Sequence, residues 1–163
     1  MHDLVIRRGL VVDDTGSEPF LADIAIDGDE ITKLGTVSDQ GSEEVDATDH
    51  IVTPGFVDLH THLDTQMGWD SMLTPSSLHG ITTVVLGNCG GTFAPCRPAD
   101  PPFLAAMMET VEDIPREAIL NGLSWNWESY GEYLDEIEST TPVINVAGLV
   151  GHSDIRYYVM GER

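Results

Sequence analysis

The sequence predicts an α/β protein with a small β module at its front. Three observations carry that prediction. The first fifty or so residues break into short apolar runs separated by turn residues. After Pro54 three longer runs, "GFVDLH", "ITTVVLGN" and "PVINVAGLVG", are apolar nearly throughout, as parallel strands covered by helices are. Helix-patterned segments lie between the second and third runs. Three such strands cannot close an eight-fold barrel, which takes about 250 residues. The 163 residues therefore read as a small open sheet or as the front of a longer protein, and the second reading is the expectation.

The elements follow in order. "DLVIRRGLVV" holds two apolar runs broken at Arg7-Arg8-Gly9. "LADIAIDGDEITKLG" alternates Ile24 and Ile26, then Ile31 and Leu34, around Asp27-Gly28, which predicts a tight hairpin. The polar stretch "TVSDQGSEEVDATDH" reads as turns. Residues 1–53 thus form part of a small β module, half of a sandwich or barrel. Beyond it, Thr65 to Gly80 carries a short helix around Pro75 to His79. A helix is expected over "PFLAAMMETVEDI", a break at Pro115, and a second helix over "WESYGEYLDEIES" that Thr140-Thr141-Pro142 ends. The tail "IRYYVMGER" looks like the approach to another helix.

Composition narrows the partners. The 28 acidic against 7 basic residues give a formal charge of -21, a surface that repels nucleic acid and anionic lipid headgroups. Adaptation to high salt and ordinary acidity both account for that balance. The expected partner is a small molecule. No run of about 18 apolar residues suggests a membrane span. The start, Met-His-Asp, lacks a basic and an apolar leader region, so a cytoplasmic location is expected. Two cysteines, Cys89 and Cys96, are too few for a disulfide framework and are expected as thiols.

The stretch "PGFVDLHTHLD" carries the chemistry. On an extended strand Asp58, His60 and His62 share one face, at the C-terminal end where β/α folds place their sites. Val57 and Leu59 point the other way, where covering helices would bury them. Neutral imidazoles suit zinc or a similar divalent ion, and a neighbouring carboxylate such as Asp58 can orient them. The pair alone fits hydrogen-bonded structural histidines equally well. The balance tips with "GNCGG", where Cys89 also follows a strand: if the two strands are parallel neighbours, three donors meet at one rim. His152, in "LVGHSD" after the third run, reaches the same rim and is a candidate on the substrate side or a loop cap. Cys96 reads as an ordinary free thiol, His50 and His79 as structural, and His2 as part of a frayed end. Trp125 and Trp127 are expected to pack the insertion, Met107 and Met108 to fill a helix core, and "ETVEDIPRE" to be a solvated helix end.

These motifs resemble a known family. "PGFVDLHTHLD" looks like the first barrel strand of the amidohydrolase superfamily. "PSSLHGITTVVLGNCGGTFAP", "VEDIP", "WNWESYGEYLD" and "NVAGLVGHSDIRYYVMGER" resemble the N-acyl-D-amino-acid deacylases, as does the 29-residue interval from His60 to Cys89. The resemblance implies the first part of a metal-dependent hydrolase (β/α)8 barrel, preceded by a small β-sandwich module, with residues 54–163 supplying the first three β/α units. It implies that His60 and His62 are first-strand ligands of zinc, one or two divalent ions in all. Cys89 would be the thiolate standing where many relatives have a carboxylated lysine. Two more ligand histidines and a catalytic aspartate are implied beyond Arg163, so the fragment itself is expected to be inactive. The implied reaction hydrolyses an N-acyl-D-amino acid to a carboxylate and a D-amino acid. The alternatives are another amidohydrolase of hydantoinase or dihydroorotase type, which shares the histidine pair but is not expected to carry "GNCG", and a non-catalytic metal-binding relative of the barrel.

Overall fold

The computed structural model describes residues 1–161; Glu162 and Arg163, the end of the expected helical tail, lie outside the described residues. The chain forms two compact units, Met1–Pro54 and Gly55–Arg163.

The first unit is built on one long strand, β1 (His2–Val11). It pairs antiparallel with β2 (Phe20–Asp27), and β2 pairs antiparallel with β3 (Glu30–Gly35) through the expected hairpin, Asp27 facing Glu30. On its other side β1 runs parallel to β4 (Gly41–Asp46) and then to β5 (Ile51–Val52). The pairs Val5–Ala25 and Ile6–Ile24 are neighbours in register, so their side chains fall on opposite faces. Each face carries a small apolar cluster, Val5, Ala25 and Val37 on one and Val11, Ala22 and Ile24 on the other.

Three expectations are corrected in this unit. "RRG" does not divide two strands; it is a bulge within one, with the register shifting between Ile6 and Gly9 and Arg8 at φ 61°. Asp23 accepts the Arg8 backbone N–H at 2.9 Å, and a side chain at Gly9 would stand 2.5 Å from Val52, so glycine is what lets β5 approach. The polar stretch read as turns contains β4, whose side chains stay almost wholly exposed. Its backbone pairs while Glu44 takes the Arg7 guanidinium at 2.5 Å, so the strand leaves no apolar alternation to read. His2 is no frayed end: it lies in β1 with its Nδ1 2.8 Å from Asp27.

The second unit holds a parallel sheet in the order β6-β7-β8: β6 (Phe56–Asp58), β7 (Ile81–Leu86) and β8 (Asn145–Gly148). All three expected strands form, and both pairings are parallel. Short 3-10 turns at Gln66–Gly68 and Ser77–His79 occupy the β6–β7 connection. Between β7 and β8 lie α1 (Pro101–Glu112), α2 (Arg116–Gly122) and α3 (Tyr130–Ser139), and α4 (His152–Met160) follows β8. Helix α1 opens on prolines, whose missing N–H costs nothing in a first turn. A capping box opens α3: Ser129 accepts from the Glu132 backbone and Glu132 accepts from that of Ser129. Helix α2 was not expected. It begins straight after the Pro115 break, and seven residues with one buried side chain, Ile119, are too few to show a period. Among the described residues no helix is long and apolar enough to cross a membrane.

The core of this unit gathers Val84 and Leu86 of β7, Leu104 and Met108 of α1, Ile119 of α2 and Tyr133 and Ile137 of α3. Trp127 joins it and donates its indole N–H to the Phe93 carbonyl at 2.7 Å, while Trp125 meets the Phe93 ring edge-on. No residue of β6 belongs to this cluster. Val57 and Leu59, expected under helices, are instead 55% and 64% exposed, Val57 on the three-residue edge strand β6 and Leu59 just after it, and neither joins the helix-packed cluster.

All three tryptophans lie in the second unit, so their fluorescence reports its unfolding. In urea titrations Leu104→Ala, at a fully buried core position, is expected to cost about 2–5 kcal/mol. Loss of the cap in Ser129→Ala should cost about 1 kcal/mol. Equal effects of the two would show that the core is misassigned.

Candidate metal centre

The connection after β6 is laced to the end of β7. Asp58 pairs with Val84, the Thr61 N–H and hydroxyl both donate to the Val85 carbonyl at 3.2 and 3.1 Å, and the Asn88 amide donates to the Leu59 carbonyl at 2.9 Å. The strand itself stops at Asp58, two residues before the end of the expected run, so the histidines sit in the connection. One cause is local: Asp58 Oδ1 accepts the His60 backbone N–H at 3.1 Å. Asp58 therefore fixes the main chain of His60, where a contact to an imidazole ring was expected. Beyond β7, Gly87 and Gly90 at φ +75° and +93° turn the chain so that Cys89 comes back toward the histidines.

His60, His62 and Cys89 are thereby brought together. They offer ligand atoms that all lie within 4.8 Å of one another, and all three residues are exposed. The two imidazole centroids are 5.4 Å apart and Cys89 Sγ is 4.0 Å from His62 Nδ1. Tetrahedral zinc, with bonds near 2.3 Å to sulfur and 2.0 Å to nitrogen, would separate such a pair by roughly 3.5 Å. The donor chemistry and the spacing both fit a divalent ion. His152, the first residue of α4, is exposed on the same side: its Cβ lies 4.0 Å from where a side chain on Gly90 would begin.

Known proteins share this arrangement of chain. Residues 43–163 match the model of the amidohydrolase family. The chain belongs to that family. It is 35% identical over 161 residues to the D-aminoacylase of Alcaligenes xylosoxydans xylosoxydans, covering 98% of this chain and 31% of that protein. A solved D-aminoacylase, from work on its binuclear metal centre, superposes with a TM-score of 0.81 at 32% identity over 99% of this chain and 32% of that one. The N-acyl-D-glutamate deacylase of Bordetella bronchiseptica, solved with zinc and a phosphonate inhibitor, gives 0.78 at 30% identity over 98% and 31%. The fold of this amidohydrolase chain is thus that of the corresponding third of a D-aminoacylase.

The other candidates fall elsewhere. Cys96 is buried and its thiol is pushed up to about 12, by burial first and by Asp100 next, so it is inert at neutral pH. His50 holds the Thr48 carbonyl at 2.8 Å and His79 closes a 3-10 turn.

Three carboxyl groups, two buried and one half-buried, escaped the sequence reading. Asp64, 1% exposed, accepts the Tyr133 hydroxyl at 3.3 Å; burial, then the Glu112 charge, raises it to about 8. Glu112 belongs to the run expected as a solvated helix end. Instead it turns inward, accepts the Thr65 hydroxyl, and is raised to about 7 by burial. Asp154, fully buried, accepts from the backbone and hydroxyl of Thr92, and burial raises it to about 7. Asp64 was visible in the opening motif, but its burial depends on a tyrosine 69 residues away.

All three pKa values are raised above those of the unfolded chain, so the folded state binds the extra protons. Their stabilising contribution is complete below about pH 4 and is lost as pH rises toward 7 and 8. With metal chelated, urea stability should fall between pH 5.5 and 8, and Glu112→Gln should flatten that slope. An unchanged slope in the variant would show that Glu112 is not held protonated.

Proposed function

We propose that His60, His62 and Cys89 hold zinc, as one or two divalent ions, and that the natural protein hydrolyses the amide bond of N-acyl-D-amino acids to a carboxylate and a D-amino acid. The observation that carries this reading is the convergence of two imidazoles and a thiol within 4.8 Å at the ends of two parallel strands. Support comes from relatives named for D-aminoacylase and N-acyl-D-glutamate deacylase activity, of which the chain spans about a third.

A zinc ion held by His60, His62 and Cys89 would supply Lewis acidity, toward a bound water and toward the amide carbonyl. The chain's own contribution is to present the donors. His60 and His62 would bind the ion through ring nitrogens, and Asp58 holds the His60 backbone. Cys89 would bind it through sulfur, giving up its proton as the metal binds. His152, which starts α4 close to Gly90, is assigned to the substrate side. The general base is assigned to an aspartate beyond Arg163, as the resemblance to the deacylases implies.

Cys89→Ala in the natural protein should remove zinc and lower deacylation of N-acyl-D-amino acids together, by more than about 100-fold, since ligand loss exceeds the effect of losing an outer partner. Metal content by mass spectrometry and turnover check this. Normal zinc and normal turnover in the variant would contradict the assignment.

A further inference from the structure

We propose that Asp154 is a positioning residue for Cys89: from the first turn of α4 its carboxylate holds the Cys89–Thr92 loop where the thiol meets the two imidazoles. The inference rests on the metal reading given above.

Cys89 has little to fix it in place. It is exposed, its Sγ lies 4.0 Å from His62 Nδ1 and 3.8 Å from the Gly91 carbonyl, both long contacts, and two glycines follow it. Such a segment has the widest backbone freedom a chain can have, so an external tether decides where the thiol stands. The tether is the junction of β8 and α4. The Leu149 N–H donates to the Leu86 carbonyl and the Ser153 N–H to the Gly90 carbonyl, both at 2.9 Å. The Thr92 N–H donates to Asp154 Oδ2 at 2.8 Å, and the Thr92 hydroxyl reaches the same oxygen at 3.3 Å.

Glycines make this approach possible from both sides. A side chain on Gly87 would begin 2.2 Å from the Leu149 carbonyl oxygen. One on Gly151 would begin 2.0 Å from Asp154 Oδ2, 3.0 Å from the Gly90 oxygen and 3.1 Å from the Thr92 nitrogen. The carboxylate thus occupies the space a side chain at Gly151 would take, pressed between the helix start and the loop. Asp154 is wholly buried, and its Oδ1 has no hydrogen-bond partner among the described residues. An orphaned buried polar atom destabilises a fold. Its presence is accounted for by the other oxygen, which accepts from Thr92 and so ties the loop to an α4 side chain, beside the backbone bond from Ser153 to Gly90.

The test uses the natural protein loaded with cobalt(II), in which a thiolate ligand gives a charge-transfer band. Asp154→Ala is expected to weaken cobalt binding about 10- to 100-fold, the effect of losing an outer partner of a ligand, and to diminish that band while far-UV circular dichroism is unchanged. Asp154→Asn, which keeps an acceptor of the same shape, should restore both. Wild-type affinity and an undiminished band in Asp154→Ala would overturn the proposal while leaving the metal reading intact. A wild-type protein that binds cobalt without the band would instead sink the Cys89 assignment, and this proposal with it. If Asp154→Ala does not fold, Asp154→Ser is read in the same way. Failure of both to fold would make Asp154 a folding residue and overturn the positioning role.

Discussion

The parallel pairing of β6 with β7 is the constraint on which the site depends. Parallel neighbours end at the same edge of a sheet, so whatever follows each strand meets there. The histidines follow β6 by two and four residues and Cys89 follows β7 by three. Antiparallel pairing would put the imidazoles and the thiol at opposite ends of the strands. The bonds from Thr61 to Val85 and from Asn88 to Leu59 extend this pairing past the last paired residues, as far as the donors themselves.

A second layer of control lies under the rim. The histidine connection is tied down through Thr65 to Glu112 and through Asp64 to Tyr133, and the cysteine loop through Thr92 to Asp154. Each tie includes a carboxyl group whose pKa burial pushes up, to about 8 for Asp64 and about 7 for Glu112 and Asp154. Burial makes the charged form of each such group costly, so each depends on the hydrogen bond that holds it.

The strands of the second unit and the donor set were legible because both leave strong local marks: continuous apolar runs, a histidine pair, and a cysteine among glycines. What was not legible depends on distant partners. Strand β4 is held by its backbone and by Arg7, so "GSEEVD" looks like solvent-facing turn. The bulge at Arg8 needs Asp23 and β5 to be understood. Glu112 resembles its exposed neighbours in sequence and differs from them only because Thr65 lies within reach of it. Asp58 was expected to orient an imidazole, but its bond runs to backbone, a detail that only the bend after β6 creates.

The central claim is that one cation is bound by nitrogen from the first connection and sulfur from the second. X-ray absorption at the zinc edge of the natural protein tests it most directly. The account predicts a sulfur scatterer at about 2.3 Å together with imidazole nitrogens at about 2.0 Å. A shell of nitrogen and oxygen alone, without sulfur, would contradict it.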